Sequence, residues 1–259
     1  MHRASILFAA LALTAFTAHA DSKEHISRTF NVADGGTLHL EAESGDVNVT
    51  AGGSGSVNVD IVRRGREGDV TFDQRGNDVY VRARGERDHR RFSWSDSDSY
   101  HYEIHVPARF NLDLQSSGGD VEIGSVNGNV TARSSGGSIE IHRAGGPIVA
   151  HSSGGGIRID DAADRVDATT SGGSIKARFS RQPSGDSRLS TSGGGVTVEL
   201  APAIGAELDA RASGGGVHAD VPITVHGTRD DDSLVGRIGG GGPRLVVRTS
   251  GGGITIRSR

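Results

Sequence analysis

The chain has 259 residues, with 40 Gly, 6 Pro, no Cys, 34% hydrophobic and 4% aromatic residues. Glycine at about twice its usual share, with apolar content below the roughly 45–50% of ordinary domains, argues against a thick conventional core. Glycines without a three-residue period and scarce proline exclude collagen, the lack of cysteine excludes a disulfide scaffold or thiolate chemistry, and a formal charge of −4 is too small to point to nucleic acid.

The chain opens with a three-part export pattern over residues 1–20. Met1-His2-Arg3 supplies a short positive start, Ile6 to Phe16 is apolar apart from Thr14, and Ala18-His19-Ala20 is a small-x-small cleavage site. The apolar run is too short for a membrane-spanning helix, which needs about 20 residues. This predicts a signal peptide cut before Asp21 and an exported chain: periplasmic, at the cell surface or secreted. Cysteine-free sequence suits such a compartment, where a free thiol is a liability.

Residues 21–115 read as an irregular N-terminal β region, continuous with the solenoid repeats of residues 116–259. Leu38/Leu40, Val47/Val49, Val57/Val59/Ile61, Val70/Phe72 and Val79/Val81 are period-two pairs between glycine-rich turns. A polar run over residues 85–100 interrupts them, and Tyr102/Ile104/Val106-Pro107 restores a strand.

From 116 to 259 a repeat takes over. Ser-Gly-Gly starts at Ser117, Ser135, Ser153, Ser171, Ser192, Ser213 and Ser250, so the spacing is 18, then 21, then a final 37 that reads as two periods with an insertion over residues 224–242. After each triplet comes a β-branched pair such as Val121/Ile123, Ile139/Ile141 or Ile157/Ile159. A second set, Val130/Ala132, Ile148/Ala150 and Val166/Ala168, lies half a period later. Each unit therefore holds two short strands and two corners, and only stacked units bury a continuous apolar face. The corners call for glycine on two grounds: positive φ, and the narrow spacing of about 4.8 Å between stacked strands. The row of triplet serines, preceded by Ser116, Ser134, Ser152, Thr170, Thr191, Ala212 and Thr249, is placed to form hydrogen-bonded ladders along the stack. The predicted fold is all-β: an elongated parallel β-solenoid, or β-helix, of about 18-residue Ser-Gly-Gly-x-Ile-x-Ile coils with irregular N-terminal strands.

The run Tyr102-Glu103-Ile104-His105-Val106-Pro107, then Leu112 to Ile123 through Ser117-Gly118-Gly119, then serial Ser-Gly-Gly-x-Ile-x-Ile units, resembles a bacterial putative-adhesin β-strand-repeat family, a domain of unknown function. The resemblance covers roughly residues 35 to 257. It implies a parallel β-solenoid in a cell-envelope or secreted setting and carries over no catalytic residue. The runs 85–100 and 224–242 depart from its pattern.

No residues assemble a recognisable catalytic, cofactor or metal motif. Gly154 to Asp160 fails the calcium nonapeptide pattern at two positions. His101 and His105 share one strand face about 13 Å apart, too far for one metal. Asp96/Asp98 and Asp230-Asp231-Asp232 read as solvated acidic turns. Glu122 and Glu140, on neighbouring rungs, are the one acid–base pair the period brings together, in a row that turns basic at Arg158 and Lys176. The anchors for a partner are sought in the segment from Arg82 to Tyr102, where Arg90, Arg91, Trp94, Tyr100 and Tyr102 combine guanidinium and aromatic chemistry. The competing role for Trp94 is a seal over an open end of the stack.

The reading is a non-catalytic exported envelope or surface protein with an adhesin-like β-solenoid scaffold. Its expected partner is a surface glycan or an envelope protein, with no cofactor and no nucleic acid. A polysaccharide-active enzyme and a self-assembling structural protein are the alternatives.

Overall fold

The computed structural model describes residues 23–53, 55–64, 69–84 and 99–259. Among the described residues there is no helix, and so none long and apolar enough to cross a membrane. Residues 1–20, where the export pattern lies, are outside them.

The first strands are β1 (Lys23–Asn31), β2 (Thr37–Ala42), β3 (Asp46–Ala51), β4 (Ser56–Arg64), β5 (Asp69–Arg75), β6 (Asp78–Arg84) and β7 (Ser99–Val106). The regular units comprise β8 (Asn111–Ser116), β9 (Val121–Val126), β10 (Val130–Ser134), β11 (Ile139–Ala144), β12 (Ile148–Ser152), β13 (Ile157–Ala162), β14 (Val166–Thr170), β15 (Ile175–Phe179), β16 (Ser187–Thr191) and β17 (Val196–Leu200). The chain closes with β18 (Ala206–Ala212), β19 (Val217–Asp220), β20 (Ile223–Asp230), β21 (Ser233–Ile238), β22 (Arg244–Thr249) and β23 (Ile254–Ser258).

These strands form two large, mostly parallel sheets, and the arrangement fits a solenoid. Sheet A has 11 strands in the order β1-β4-β7-β3-β9-β11-β13-β15-β17-β23-β19. Sheet B has 12, in the order β20-β21-β18-β22-β16-β14-β12-β10-β8-β2-β6-β5. Each coil gives one strand to each sheet, and the 18-residue spacing becomes register: Ile139 pairs with Val121 and Ile157, and Ile148 with Val130 and Val166. Alternation sends Ile141 and Ile159 into one core row, while Glu140 and Arg158 pair on the outer face. A third inward row, Val126, Ala144, Ala162, Phe179 and Leu200, lies beyond the period-two pairs.

The corners need glycine chiefly for lack of space. Of the glycines in the Ser-Gly-Gly triplets only Gly119 has positive φ, at 84°. A Cβ on Gly137 would stand 1.9 Å from the Gly119 carbonyl oxygen, and one on Gly155 2.4 Å from Gly137. The expectation of left-handed corners is thus corrected at all triplets but the first. Crowding between rungs is what excludes a side chain. The hydroxyl ladder is carried by the residues before the triplets and ties corners to the neighbouring coil: Ser152 donates to the Gly137 carbonyl (2.9 Å), Thr170 to Gly155 (2.7 Å), Thr191 to Gly173 (2.6 Å) and Thr249 to Gly194 (2.6 Å).

Both ends depart from simple stacking. At the N-terminal end β4 and β1 extend sheet A antiparallel, and β5 does the same for sheet B. Phe30 of β1 and Phe72 of β5 meet at 6.1 Å between the two sheets, and the Gln74 side chain donates to the Asn31 carbonyl at 2.7 Å. At the other end the run 224–242 contains most of the antiparallel pair β20–β21, laid against β18. The 37-residue spacing is not a simple continuation. The coil that begins at Ser250 sits between the coils of Ser192 and Ser213, because β23 pairs with both β17 and β19.

Candidate functional site

Outward parity along β2, β6 and β8 brings together polar side chains that are far apart in sequence. His39, Tyr80 and Asp113 are register partners, as are Glu41, Arg82 and Gln115. The first row is continuous. Arg133 pairs with Asp113 at 3.3 Å, Asp113 accepts from His39 Nδ1 at 3.3 Å, and the His39 and Tyr80 rings stack at 4.6 Å and 7°. The Arg75 guanidinium lies 4.9 Å from the Tyr80 centroid. In the second row Arg82 grips Glu41 with two hydrogen bonds, of 2.6 and 3.0 Å. Those bonds hold the Glu41 carboxyl below its ordinary range.

Next to this ion pair lies a recess of about 230 Å³, walled by Glu41, Glu43, Arg82, Arg84, Gln115 and Ser117. Glu41 and Arg82 also wall a second recess, of about 150 Å³, under His39, Phe72, Arg75 and Tyr80. The two form one shelf across the outer face of sheet B. It offers a bidentate carboxylate–guanidinium pair, the exposed Arg84, a carboxamide and a hydroxyl, beside a half-buried ring. Donors and acceptors at fixed spacing next to an aromatic suit polyhydroxylated ligands.

The segment expected to carry the anchors is divided. Arg90, Arg91 and Trp94 lie outside the described residues, as do Asp96 and Asp98. Tyr100 and Tyr102 are placed in the core, 4% and 0% exposed, with their rings stacked 6.0 Å apart. The cause is parity: Tyr102 pairs with Val47 and Ile61, both inward. Burial pushes the Tyr102 phenol well above its ordinary pKa. These two rings pack the N-terminal coil and present nothing to a partner. Arg82 and Arg84, from the same run, do belong to the shelf. Sequence reasoning missed Tyr80, His39 and Glu41, although Val79-Tyr80-Val81 already marks an aromatic at an outward position.

The outer face of sheet A carries the remaining candidates. Glu122 and Glu140 are register partners, but each has its own partner: His142 Nε2 lies 3.1 Å from Glu122, and the Arg158 guanidinium lies 3.2 Å from Glu140. Glu140, His142 and Asp160 could hold a metal ion by their mutual distances, all within 4.8 Å. The Arg158 guanidinium, 3.0 Å from Asp160 as well, already supplies the positive charge there. The bond to Glu122 raises the pKa of His142, with help from Asp160. Further along, the Glu199 side chain is 6% exposed and bound by Arg257, by Arg178 at 2.7 Å and by Lys176 at 3.5 Å. Bonds from Arg257 and Arg178 pull its pKa down to about 2. His101 and His105 are exposed as expected, partnered by Glu103 and Thr50. In the Asp230–Asp232 run, the backbone carbonyls of Asp231 and Asp232 accept from Val217 and Ala212 at 2.8 Å each.

No protein-family model matches the chain, and no curated protein does. Solved structures do. A putative adhesin from Bacteroides fragilis is 14% identical, with 92% of this chain and 99% of that one covered and a TM-score of 0.45. A putative cell adhesion protein from Clostridium sporogenes is 11% identical over 91% and 100% of the two chains, with a TM-score of 0.39. A putative adhesin from Parabacteroides distasonis is 13% identical over 91% and 97%, with a TM-score of 0.33.

Proposed function

We propose that the chain is a non-catalytic, exported envelope or surface protein whose stacked coils, an elongated solenoid, hold a binding face in the manner of an adhesin. The observation that carries this reading is the shelf on sheet B, where Glu41, Arg82, Arg84, Gln115 and Tyr80 stand on neighbouring strands. A site spread over strands of a sheet keeps its geometry without an ordering cost on binding. Its chemistry suits a surface glycan: the carboxylate accepts from sugar hydroxyls, and the arginines donate to hydroxyls or to a uronate. Export follows from the leader pattern of residues 1–20.

The test is a glycan-array screen of the chain from Asp21 onward, beside the Arg82→Ala and Arg84→Ala variants. Binding that both variants weaken at least tenfold, with unchanged melting temperature, supports the shelf. A hit that neither variant alters moves the site elsewhere. Bond cleavage in a bound glycan would replace the non-catalytic reading with that of a polysaccharide-active enzyme.

A further inference from the structure

The C-terminal coil, β22 and β23, follows every other described strand in sequence, yet it is not the last coil of the stack. In sheet B, β22 lies between β16 and β18; in sheet A, β23 lies between β17 and β19. After β17 the chain thus steps over one rung, builds the coil β18–β19 and the pair β20–β21, and returns to fill the rung it left open. The slot is lined on both sides by coils of the same grammar. Its walls read Ser192-Gly-Gly-Gly-Val-Thr-Val and Ser213-Gly-Gly-Gly-Val-His-Ala, and its occupant Ser250-Gly-Gly-Gly-Ile-Thr-Ile. The occupant is held by side chains on both faces: Arg248 bonds Asp209 at 2.6 Å on sheet B, and Arg257 bonds Glu199 on sheet A.

Three features make this coil separable. Among the described residues no strand follows β23 in either sheet, so the coil can leave its slot without drawing another strand out with it. Residues 239–243, which lead into it, are four glycines and a proline, with Gly239 and Gly241 at φ 56° and 82°. And its contacts are with segments distant in sequence, so any copy of residues 244–258 satisfies the slot equally well.

We propose that the slot is an exchange site for a second copy of the chain. The C-terminal coil of one molecule fills the rung between β16–β17 and β18–β19 of another, and the reverse, giving a reciprocal dimer. Contacts at the slot are the same in monomer and dimer, so the balance rests on the hinge conformation and on protein concentration. The first inserted coil, β2–β3, cannot exchange in this way, because the whole chain follows it.

The absence of cysteine gives a clean background for the test. Thr197 and Thr255 are outward register partners across the β17–β23 boundary. The Thr197→Cys/Thr255→Cys chain is refolded over a range of concentrations and separated by size, and each fraction is diluted and joined with a short bis-maleimide. The proposal expects a dimer-to-monomer ratio that grows in proportion to concentration, with the cross-link between chains in the dimer and within one chain in the monomer. No dimer at any concentration, or a dimer cross-linked only within each chain, overturns it. Should the double variant fail to fold, the unaltered chain decides. A swapped dimer outlasts dilution, because parting it means drawing two coils out of four sheets, whereas a dimer that falls apart promptly on dilution overturns the exchange.

Discussion

The middle of the stack and its two ends follow different rules. From β8 to β17 the order of coils in space is their order in the chain, and neighbours are 18 or 21 residues away in one register, apart from a single shift between Ile159 and Ala162 where β13 meets β15. At both ends a coil is inserted between two others, β2–β3 between β6–β7 and β8–β9, and β22–β23 between β16–β17 and β18–β19. Antiparallel strands lie beyond. A bare parallel end would offer an unpaired edge to further copies, and the antiparallel strands interrupt the parallel ladder on three of the four sheet edges. Sheet A ends at β19, four residues long, at the fourth. The middle supplies a repeating core, whereas the ends supply closure and, at the N-terminal end, the polar shelf.

The sharpest way to break the middle is to charge its core. Ile159 is 1% exposed, between Ile141 and Ala177 in one inward row. Ile159→Asp buries an unpaired carboxylate and should abolish cooperative unfolding, a loss above about 4 kcal/mol. Its neighbour Arg158 faces solvent, and Arg158→Ala should cost no more than about 1 kcal/mol, since its ion pairs are half-exposed. Urea melts followed by circular dichroism measure both. Equal losses would mean the register is wrong.

Next in size is the corner. Gly137→Ala sets a Cβ against the Gly119 carbonyl, which belongs to a backbone pinned on both sides, and should cost about 3 kcal/mol. Gly118 has no atom within 4 Å of its Cβ position and no positive φ, so Gly118→Ala should stay within about 0.5 kcal/mol. Thermal melts of the two variants separate crowding from conformational freedom as the reason for glycine. The hydroxyl ladder comes third. Thr170→Val keeps the shape but leaves the Gly155 carbonyl without its 2.7 Å donor, at a cost of about 2 kcal/mol in the same melts.

Legibility followed the same division. The middle was readable because a rung contacts only the rungs beside it, so a period in sequence becomes a register in space. Ile139, Ile157 and Ile148 fall where the spacing put them. The insertion of the Ser250 coil was not readable, since the Ser192, Ser213 and Ser250 units share one grammar and the motif alone does not order them. The shelf was half readable. Arg82 and Arg84 lie in the run singled out for its arginines, but Tyr100 and Tyr102 drew attention by residue type while their strand parity turned them inward. Glu41 joins Arg82 through a parallel pairing across 41 residues that no local pattern announces.

The smallest effects at neutral pH come from the outer face of sheet A, where two stretches of the same row should answer to pH in opposite senses. Glu199 is held by Arg257 and Arg178 with a pKa of about 2, below its ordinary 4.5. A depressed carboxyl pKa adds stability that is fully present above the unfolded value and is lost as pH falls from about 4.5 towards 2. His142, bonded to Glu122 and Asp160, has a raised pKa. A raised imidazole pKa adds stability that is fully present below the ordinary 6.5 and is lost as pH climbs through the higher folded value. Because His142 is 44% exposed, solvent and salt screen its contribution, and the alkaline limb should be the shallower of the two. Stability measured by urea melts from pH 2 to 9 should therefore fall at both sides of a plateau. Glu199→Gln should flatten the acid limb and leave the alkaline one, and His142→Gln should do the reverse. If either variant changed both limbs alike, the two clusters would be coupled through the row of Asp160 and Arg178 that separates them, and the face would have to be treated as one titrating unit.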